Sequence, residues 1–265
     1  MYSFLKIIIK KIVNLFGFEV NKFYPELHQM SFDQIYKKIL KDNILVIDVG
    51  ANKGQTIERF RKLFLNKNIH SFEPIKHEYL NLKQKYSNKN NIVLNNFAMG
   101  ELPGEKEFNI NHYTGSSSFL NIKESNWLNF KSKKFNIEPK NFLKNKEKIK
   151  IETLDNYCQK NNIKNIDIVK IDTQGYEDKV LEGCQQMIEG KNIKFIELEI
   201  ILSDLYENTL SIKDIEDKLK NNYRLFANDY YGNLYSNMVY QLNLIYINKD
   251  YYLKIKKDVE ITQKS

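Results

Sequence analysis

The sequence predicts an α/β fold built around a parallel sheet, and three stretches carry that prediction. Residues 44–54 read ILVIDVGANKG, an apolar run followed by an acidic side chain and a turn with two glycines. Residues 69–74 read IHSFEP and residues 166–175 read IDIVKIDTQG, so each also joins a short apolar run to polar residues. Such runs, bounded by turn residues, are typical of strands covered on both faces of a parallel sheet. Residues 55–65 then show helical spacing, which completes a unit of strand, turn and helix.

The turn at residues 48–54 differs from the motifs that bind nucleotide phosphates. A dinucleotide-binding turn has the pattern GxGxxG, which lets backbone amides approach a pyrophosphate at a helix N-terminus. Here Asn52 stands in place of the middle glycine, and no Gly-Lys-Ser/Thr of a P-loop follows. The pattern is DxGxxxG, formed by Asp48, Gly50 and Gly54. A carboxylate at this place favours a cationic ligand without phosphates, so the turn predicts a site for S-adenosyl-L-methionine; the alternative is a tight turn whose polar residues cap the helix.

A second acidic residue and an amide follow the next two predicted strands. Glu73 comes about twenty residues after the glycine turn, where an acidic side chain accepts the ribose hydroxyls of an adenosine. Asn96 follows the strand at residues 92–94 and is predicted to contact the adenine edge, or else to stand in a left-handed turn. The predicted cofactor-binding residues are therefore Asp48, Gly50, Asn52, Gly54, Glu73 and Asn96.

Length and periodicity predict the domain organisation. At 265 residues the chain suits one large α/β domain with attachments. We expect a helical extension at residues 1–43 and the main domain at residues 44–265. Residues 121–148 are rich in Lys and Asn without a clean period, which predicts an insertion or lid that recognises the acceptor.

Charge and cysteine usage narrow the function classes. The net charge is +8 and the pI is about 9.1, but no compact Lys/Arg cluster with interleaved aromatic residues is present. We therefore expect no nucleic-acid partner, although anionic acceptors are favoured. Cys158 and Cys184 form no CxxC pair, which predicts a reducing compartment and packing as small apolar residues.

The N-terminal stretch at residues 4–16 predicts a basic amphipathic helix. Its apolar residues recur at three- and four-residue steps, with Lys6 and Lys10 among them. The apolar run is too short for a signal peptide or a membrane span. The helix either covers an edge of the core or lies on a membrane surface, so we expect a cytoplasmic protein, with the second alternative placing it at the inner membrane surface.

Further elements follow from local pattern, with strands at period two and helices at period 3.6. The predicted helices are residues 31–40, beginning after Ser31, and 76–86, 153–160, 177–188 and 210–219. The further predicted strands are residues 107–110, 148–152, 193–200, 223–227 and 239–247, with a flexible polar loop at 114–118 and a turn at 231–233.

Three side chains are candidates for a catalytic base. Asp172 follows the strand at residues 166–171, at the sheet edge where the predicted cofactor carboxylates also converge. Glu197 and Glu199 share one face of the next strand, and we take Glu199 as the second candidate. His112, before the serine loop, is the third, with a solvent-facing histidine as the alternative. Two close carboxylates also admit a divalent cation, and Asp172 could instead cap the following turn.

Seven segments in this order resemble the FkbM family of S-adenosylmethionine-dependent methyltransferases: VIDVGANKG, SFEP, NNFAMG, GSSSF, IETLDNYC, IVKIDTQGYEDKVLEG and FIELEI. The resemblance covers about residues 44–247, apart from 121–148, and is most specific at Lys170, Asp172, Gly175 and Glu177. Tyr176 stands where family members often have Ala. The resemblance implies a class I methyltransferase (Rossmann-like) fold, a seven-stranded and mostly parallel sheet with an antiparallel C-terminal strand.

The resemblance also implies O-methylation, commonly of a sugar hydroxyl in a surface polysaccharide, glycolipid or natural product. We therefore expect in-line displacement at the sulfonium methyl, with a surface glycan or its nucleotide-sugar or glycolipid precursor as the acceptor. Two alternatives remain: a lipid or secondary-metabolite acceptor, and a non-catalytic module that binds S-adenosylmethionine.

Overall fold

The computed structural model describes residues 15, 30–203, 205–208, 210–233 and 238–263. The chain divides into two compact units, Met1–Ile35 and Tyr36–Ser265. In the first unit, the Ser31 backbone N–H donates to Gln34 Oε1 at 2.9 Å, so the two residues begin the predicted helix. The amphipathic helix expected at residues 4–16 lies outside the described residues apart from Leu15, which is helical.

The strands of the described residues form two sheets. In chain order they are β1 (Ile44–Val49), β2 (Lys67–Phe72), β3 (Ile92–Asn95), β4 (Ala98–Met99), β5 (Gly104–Asn111), β6 (Leu143–Glu152), β7 (Ile166–Ile171), β8 (Ile193–Ile201), β9 (Tyr223–Asn233) and β10 (Met238–Asn248). The helices are α1 (Phe32–Ile39), α2 (Gln55–Leu63), α3 (Lys76–Tyr86), α4 (Asn126–Phe135), α5 (Leu154–Lys160), α6 (Glu177–Glu182), α7 (Gln185–Glu189), α8 (Ile212–Leu219) and α9 (Lys249–Gln263).

The main sheet has seven strands in the order β3-β2-β1-β7-β8-β10-β9. The first five of these pair in parallel. The last strand of the chain, β10, runs antiparallel to both β8 and β9. This arrangement confirms the mostly parallel, seven-stranded class I methyltransferase sheet with an antiparallel C-terminal strand.

The central strands are buried because helices cover both faces of the sheet. Five of the six residues of β1 are buried, as its continuous apolar run predicts. The core continues from Ile47 and Phe72 in the sheet to Leu154 and Leu181 on the covering helices. Buried strands of this kind leave their carboxyl ends as the part of the sheet that reaches a ligand.

The helix predicted at residues 177–188 is two helices, α6 and α7, separated at Gly183. A Cβ atom at Gly183 would lie 2.0 Å from the Gly100 carbonyl oxygen. The chain after α6 therefore packs directly on the loop after β4, and this contact needs a glycine. Helical spacing alone does not reveal such a contact, because Gly100 is distant in sequence.

The stretch at residues 121–148 is more regular than predicted. It contains α4 and the first half of β6, which pairs with β5. The end of β6 also pairs with β4, so these strands form a separate three-stranded sheet. Ser125 begins α4, since its hydroxyl accepts from the Leu128 backbone N–H at 3.2 Å. The first half of β6 is exposed up to Lys148, so it lacks the apolar alternation from which a strand is recognised.

The C-terminal elements extend beyond their predicted bounds. The turn predicted at residues 231–233 is wrong, because β9 continues through Asn233. Helix α9 follows β10 and was not predicted. In α9, the Tyr251 ring packs edge-on against the ring of the buried Phe195, at 5.9 Å between centroids.

Both cysteines pack as predicted. Cys158 and Cys184 are buried free thiols, and burial raises the pKa of Cys158 to about 12, which makes the thiol unreactive. Within the described residues, no helix combines the length and the apolar character that crossing a membrane requires.

Candidate active site

The glycine loop after β1 takes backbone conformations that few residues tolerate. Gly50, Asn52 and Gly54 have φ angles of 91°, 45° and 81°, and Gly and Asn adopt this left-handed region most readily. A Cβ atom at Gly50 would lie 2.0 Å from the Asp172 carbonyl oxygen. The loops after β1 and β7 are therefore in direct contact, which brings the two predicted carboxylates of these strands to one edge of the sheet.

Asp48 is a fully buried carboxylate at that edge. Its Oδ2 accepts from the Ser71 hydroxyl at 3.1 Å, whereas its Oδ1 has no hydrogen-bond partner. Burial raises the pKa of Asp48 to about 6, and the nearby Lys170 ammonium limits that rise. A buried carboxylate oxygen without a donor is costly. Because Asp48 has no exposed surface, its contact with a cationic cofactor stays a prediction.

Glu73 closes the glycine loop from the neighbouring strand. Its Oε2 accepts from the Asn52 backbone N–H at 2.7 Å, and its Oε1 accepts from the Ile75 backbone N–H at 2.8 Å. Burial raises the pKa of Glu73 to about 7. Each carboxylate oxygen can accept two hydrogen bonds, so Glu73 holds the loop and retains acceptor capacity.

Asn96 supports the turn that carries Glu73. Its Nδ2 donates to the Glu73 and Pro74 carbonyl oxygens, both at 2.9 Å. The amide nitrogen of Asn96 is thus used by the backbone of this turn, and its contact with an adenine edge stays a prediction.

Lys170 lies in the middle of a polar row that crosses four strands. The strand register places Ser71 beside Asp48, Asp48 beside Lys170, and Lys170 beside Glu197. Lys170 Nζ is 2.9 Å from Asp172 Oδ2. Burial lowers the pKa of Lys170, but the three surrounding carboxylates outweigh burial and raise it. A cation therefore stands at the centre of the acidic edge.

A single amide joins the two carboxylates predicted as bases. Gln174 Nε2 donates to Asp172 Oδ1 at 3.0 Å and to Glu199 Oε1 at 2.9 Å. Gln174 has a φ of 58°, so this residue is held in an unfavourable backbone conformation. Burial, together with the nearby Asp172 charge, raises the pKa of Glu199 to about 8. Near neutral pH, Glu199 therefore carries a proton, while Asp172 pairs with a cation.

The segment Thr114–Ser116, with Ser117 and Ser118, forms a bonded turn over this network, and we call residues 114–118 the serine loop. Its three serines are buried, although the sequence predicted a flexible polar loop. Ser118 Oγ donates to the Gln174 carbonyl oxygen at 2.8 Å. Tyr206 links the serine loop to Gln174, because its hydroxyl lies 2.8 Å from the Ser116 carbonyl oxygen and 3.1 Å from Gln174 Oε1.

The segment after β7 is stabilised by Glu177. Its carboxylate accepts from the backbone N–H of Thr173 at 2.8 Å and of Gly175 at 3.0 Å. Burial raises the pKa of Glu177 to about 7. Gly175, at a φ of 96°, allows the sharp turn, so Glu177 and Gly175 together fix the loop that presents Gln174.

Glu197 and His112 form no hydrogen bond to Asp172, Gln174 or Glu199 in the part of the chain that the structure describes, although Glu197 lies beside Lys170 in the strand register. Glu197 shares a strand face with Glu199 but bonds to the Tyr36 hydroxyl at 2.8 Å and to an Arg59 guanidinium nitrogen at 2.6 Å. His112 is exposed, and its backbone N–H donates to the Phe142 carbonyl oxygen. Among the described residues, the hydrogen bonds joining Asp172 and Glu199 do not include His112, whose role as a base stays a prediction.

Sequence reasoning did not assign roles to Lys170, Gln174 and Tyr206. A signal existed for Lys170, because a charged residue inside a buried strand needs an opposite charge. No local signal existed for Gln174 or Tyr206, since their partners are distant in sequence. Within the described residues, no cluster of three or more His, Cys, Asp or Glu side chains has the arrangement of a metal site.

Comparison with known proteins gives matches over most of the chain. Residues 48–225 match the family model described as the methyltransferase FkbM domain. The chain is similar to the 2-O-methyltransferase NoeI of Sinorhizobium fredii, at 23% identity over 188 residues, covering 70% of this chain and 75% of the relative.

Solved structures with detectable likeness include two further methyltransferases. A TehB-like SAM-dependent methyltransferase from Corynebacterium glutamicum has a TM-score of 0.42 at 7% identity, covering 94% of this chain and 98% of that chain. The precorrin-6y C5,15-methyltransferase from Geobacter metallireducens has a TM-score of 0.39 at 11% identity, covering 81% and 85%.

The family match contains the glycine loop, Glu73, the Lys170–Asp172 pair and Glu199. It therefore covers the whole carboxylate edge described above. The chain belongs to the FkbM methyltransferase family and is an S-adenosylmethionine-dependent methyltransferase.

Proposed function

We propose that this enzyme methylates a hydroxyl group of a sugar, in a surface glycan or in its nucleotide-sugar or glycolipid precursor, in the cytoplasm. The observation that carries the proposal is the pair Asp172 and Glu199, joined by Gln174 at the carboxyl ends of β7 and β8. A sugar hydroxyl is a poor nucleophile until its proton leaves. The similarity to a protein named 2-O-methyltransferase supports an oxygen acceptor.

The residues of the glycine loop fit the cofactor. When bound, S-adenosylmethionine supplies a methyl group on a positively charged sulfur together with an ammonium group. Asp48 Oδ1, which is buried without a partner, suits a cationic donor. Glu73 keeps lone pairs for the ribose hydroxyls. Gly50 and Gly54 allow the left-handed loop that packs against Asp172 and Tyr86 and so holds these carboxylates at one edge.

Asp172 is the side chain that we assign as the base. Burial and the nearby Asp172 charge raise the pKa of Glu199 to about 8, so its protonated form predominates at neutral pH and Glu199 is the less available base there. Asp172 pairs with Lys170 and is the more accessible of these groups, with 27% of its side chain exposed. Gln174 then holds the two carboxyl groups at a fixed spacing, which orients Asp172 toward the acceptor side.

The serine loop lies over the proposed active site. Thr114 donates to Glu78 Oε1 at 2.8 Å and reaches Asn52 Oδ1 at 3.5 Å, while Ser118 bonds to the Gln174 backbone. The loop thus spans from the cofactor side to the base. Excluding water from the reacting groups strengthens the electrostatic interactions among them.

The test is a methyl-transfer assay with purified protein and S-adenosylmethionine carrying a labelled methyl group. Acceptors are nucleotide sugars, glycolipid precursors and surface glycans, and mass spectrometry locates the methyl group. We expect label on a sugar oxygen, and transfer by Asp172→Asn that is slower by about 10²- to 10⁴-fold. Label on a lipid chain or on nitrogen would contradict the proposal, as would calorimetric binding of NAD in place of S-adenosylhomocysteine.

A further inference from the structure

A small cavity lies between the second sheet and the insertion, on the far side of the serine loop from Gln174. It has a volume of about 250 Å³, below the roughly 300–1,000 Å³ of pockets for drug-sized ligands. Its polar lining consists of Asn109, Asn111, Asn121, Glu124 and Lys140, and we call it the asparagine pocket. The size suits one ring-sized group.

The asparagines of the pocket are held in place by bonds to backbone and to each other. Asn111 Nδ2 donates to the Ser116 carbonyl oxygen at 2.7 Å. Asn109 Nδ2 donates to the Leu120 carbonyl oxygen at 2.9 Å and to Asn121 Oδ1 at 3.2 Å. These bonds use the amide nitrogens and leave acceptor capacity on the amide oxygens of Asn109 and Asn111. The pocket therefore offers fixed acceptors for hydroxyl donors.

The rest of the lining favours a neutral ligand with one apolar face. Glu124 and Lys140 contribute one negative and one positive charge, so the pocket has no net charge to attract a phosphate. Ile122 and Leu143 provide apolar surface in the lining, whereas the Phe142 ring is buried. A sugar ring presents hydroxyl groups at its edge and C–H groups on its faces, and this pattern matches amide oxygens beside aliphatic side chains.

The two asparagines of β5 that line the pocket are hydrogen-bonded to the serine loop. The backbones of Asn109 and Ser118 exchange hydrogen bonds at 2.9 and 3.1 Å, and the Asn111 backbone N–H donates to Ser117 Oγ at 3.0 Å. On its other side, the serine loop bonds to Gln174. A ligand in the pocket thus lies one loop away from the carboxylate pair.

We propose that the asparagine pocket binds a sugar ring of the acceptor other than the ring that is methylated. This inference rests on the proposed function and deepens it, since it predicts an acceptor of at least two linked units. Binding energy from such a remote unit orients the reacting hydroxyl.

The chain's only tryptophan provides a direct measurement. The Trp127 ring packs edge-on against the Phe142 ring at 6.1 Å between centroids, so its fluorescence reports on the pocket wall. The titrants are methyl glycosides of glucose, galactose, mannose, fucose and N-acetylglucosamine. We expect at least one to give a saturable change. No change with any of the five would overturn the proposal.

Two variants test the pocket itself. Glu124→Ala removes a polar wall group and should weaken the binding of that glycoside about tenfold. Leu143→Phe enlarges an apolar wall residue and should abolish it. The matched control is Lys144→Ala, on the same strand, where Lys144 points away from the pocket by alternation. Titration with S-adenosylhomocysteine, expected to be unchanged, verifies that each variant is folded.

The two proposals fail in different ways. If a glycoside binds and both variants weaken it while no sugar accepts a methyl group, the pocket is a sugar site but the proposed function, and with it the link to the acceptor, is overturned. If an oligosaccharide is methylated and both variants keep the wild-type KM and glycoside affinity, the proposed function stands and the pocket assignment is overturned.

Discussion

The carboxylate edge and the insertion sheet differ in how far their charged side chains are exposed to solvent. At the carboxylate edge, formed by Asp48, Lys170, Asp172 and Glu199, Asp48 is fully buried and the other three are partly buried. Lys170 pairs with Asp172, and Gln174 bonds to Asp172 and Glu199. In the insertion sheet, formed by β4 to β6, charges such as Lys146 and Glu107 are exposed in an ion pair of 2.7 Å. Buried groups depend on their partners, whereas exposed ones are solvated. The difference predicts where substitutions are costly.

The largest effect is expected at the base. Asp172→Asn keeps the shape of the side chain but removes its capacity to accept a proton, so kcat should fall by about 10²- to 10⁴-fold. Affinity for S-adenosylhomocysteine should change little, because Asp48 and Glu73 remain. The comparison is made by single-turnover kinetics and calorimetry. An unchanged kcat would assign the base to another residue, with His112→Ala as the next variant to assay.

Lys170 should show a large effect on stability. Lys170→Met leaves the fully buried Asp48 and the partly exposed Asp172 without their cation. Leaving a buried charge unpaired costs up to about 3–5 kcal/mol of unfolding free energy. Chemical denaturation measures this loss. The matched control is Lys194→Met, since Lys194 pairs with Asp167 at 2.6 Å but is 41% exposed, and an exposed pair contributes about 0–1 kcal/mol. Equal losses of unfolding free energy in Lys170→Met and Lys194→Met would contradict the larger contribution that we assign to Lys170.

Cofactor affinity should depend on Asp48 more than on overall charge. Asp48→Asn removes the negative charge facing the cationic ligand, and a hydrogen bond to a charged group is worth about 1.5–3 kcal/mol, or roughly a 10- to 100-fold rise in Kd. Asp167→Asn, at the amino-terminal end of the neighbouring strand β7, makes the same chemical change away from the carboxyl-end edge and should leave the Kd for S-adenosylhomocysteine unaltered. Retained affinity in Asp48→Asn would contradict the assignment of the pocket.

The pH dependence of stability should reveal the buried carboxyl groups. Burial raises the native pKa of Asp48 to about 6, of Glu73 to about 7 and of Glu199 to about 8. Between the unfolded values near 4 and these native values, the native state binds more protons, so stability falls as pH rises. Each group contributes about 1.4 kcal/mol per pH unit inside its own window.

The measurement is the unfolding free energy between pH 5 and pH 8 in wild type and Glu199→Gln. The variant lacks the titrating group, so its stability should fall less steeply, up to the native pKa of about 8. Identical slopes would show that Glu199 titrates normally.

The smallest effect is expected in the insertion sheet. Lys146→Ala breaks the exposed pair with Glu107, and a surface change of this kind should alter stability by no more than about 0.5 kcal/mol. A loss of unfolding free energy as large as that of Lys170→Met would contradict the difference that we infer between the carboxylate edge and the insertion sheet.

The sequence by itself determined the fold class, the glycine loop and the order of the carboxylates. These features are encoded locally, since apolar runs, turn glycines and the residues at strand ends are adjacent in the chain. The positions of Asp48, Glu73, Asp172 and Glu199 at one edge followed from the rule that parallel strands share their carboxyl ends. The exposed half of β6 was not predicted, because its residues carry no buried face.

Only the tertiary structure decided which of these groups are partners. Glu197 and Glu199 are indistinguishable by period two, yet Glu197 meets Arg59 while Glu199 meets Gln174. The asparagine pocket likewise combines β5, the insertion and the start of β6. Such pairings depend on strand register and loop packing between residues far apart in sequence, and burial then fixes which carboxyl group keeps its proton.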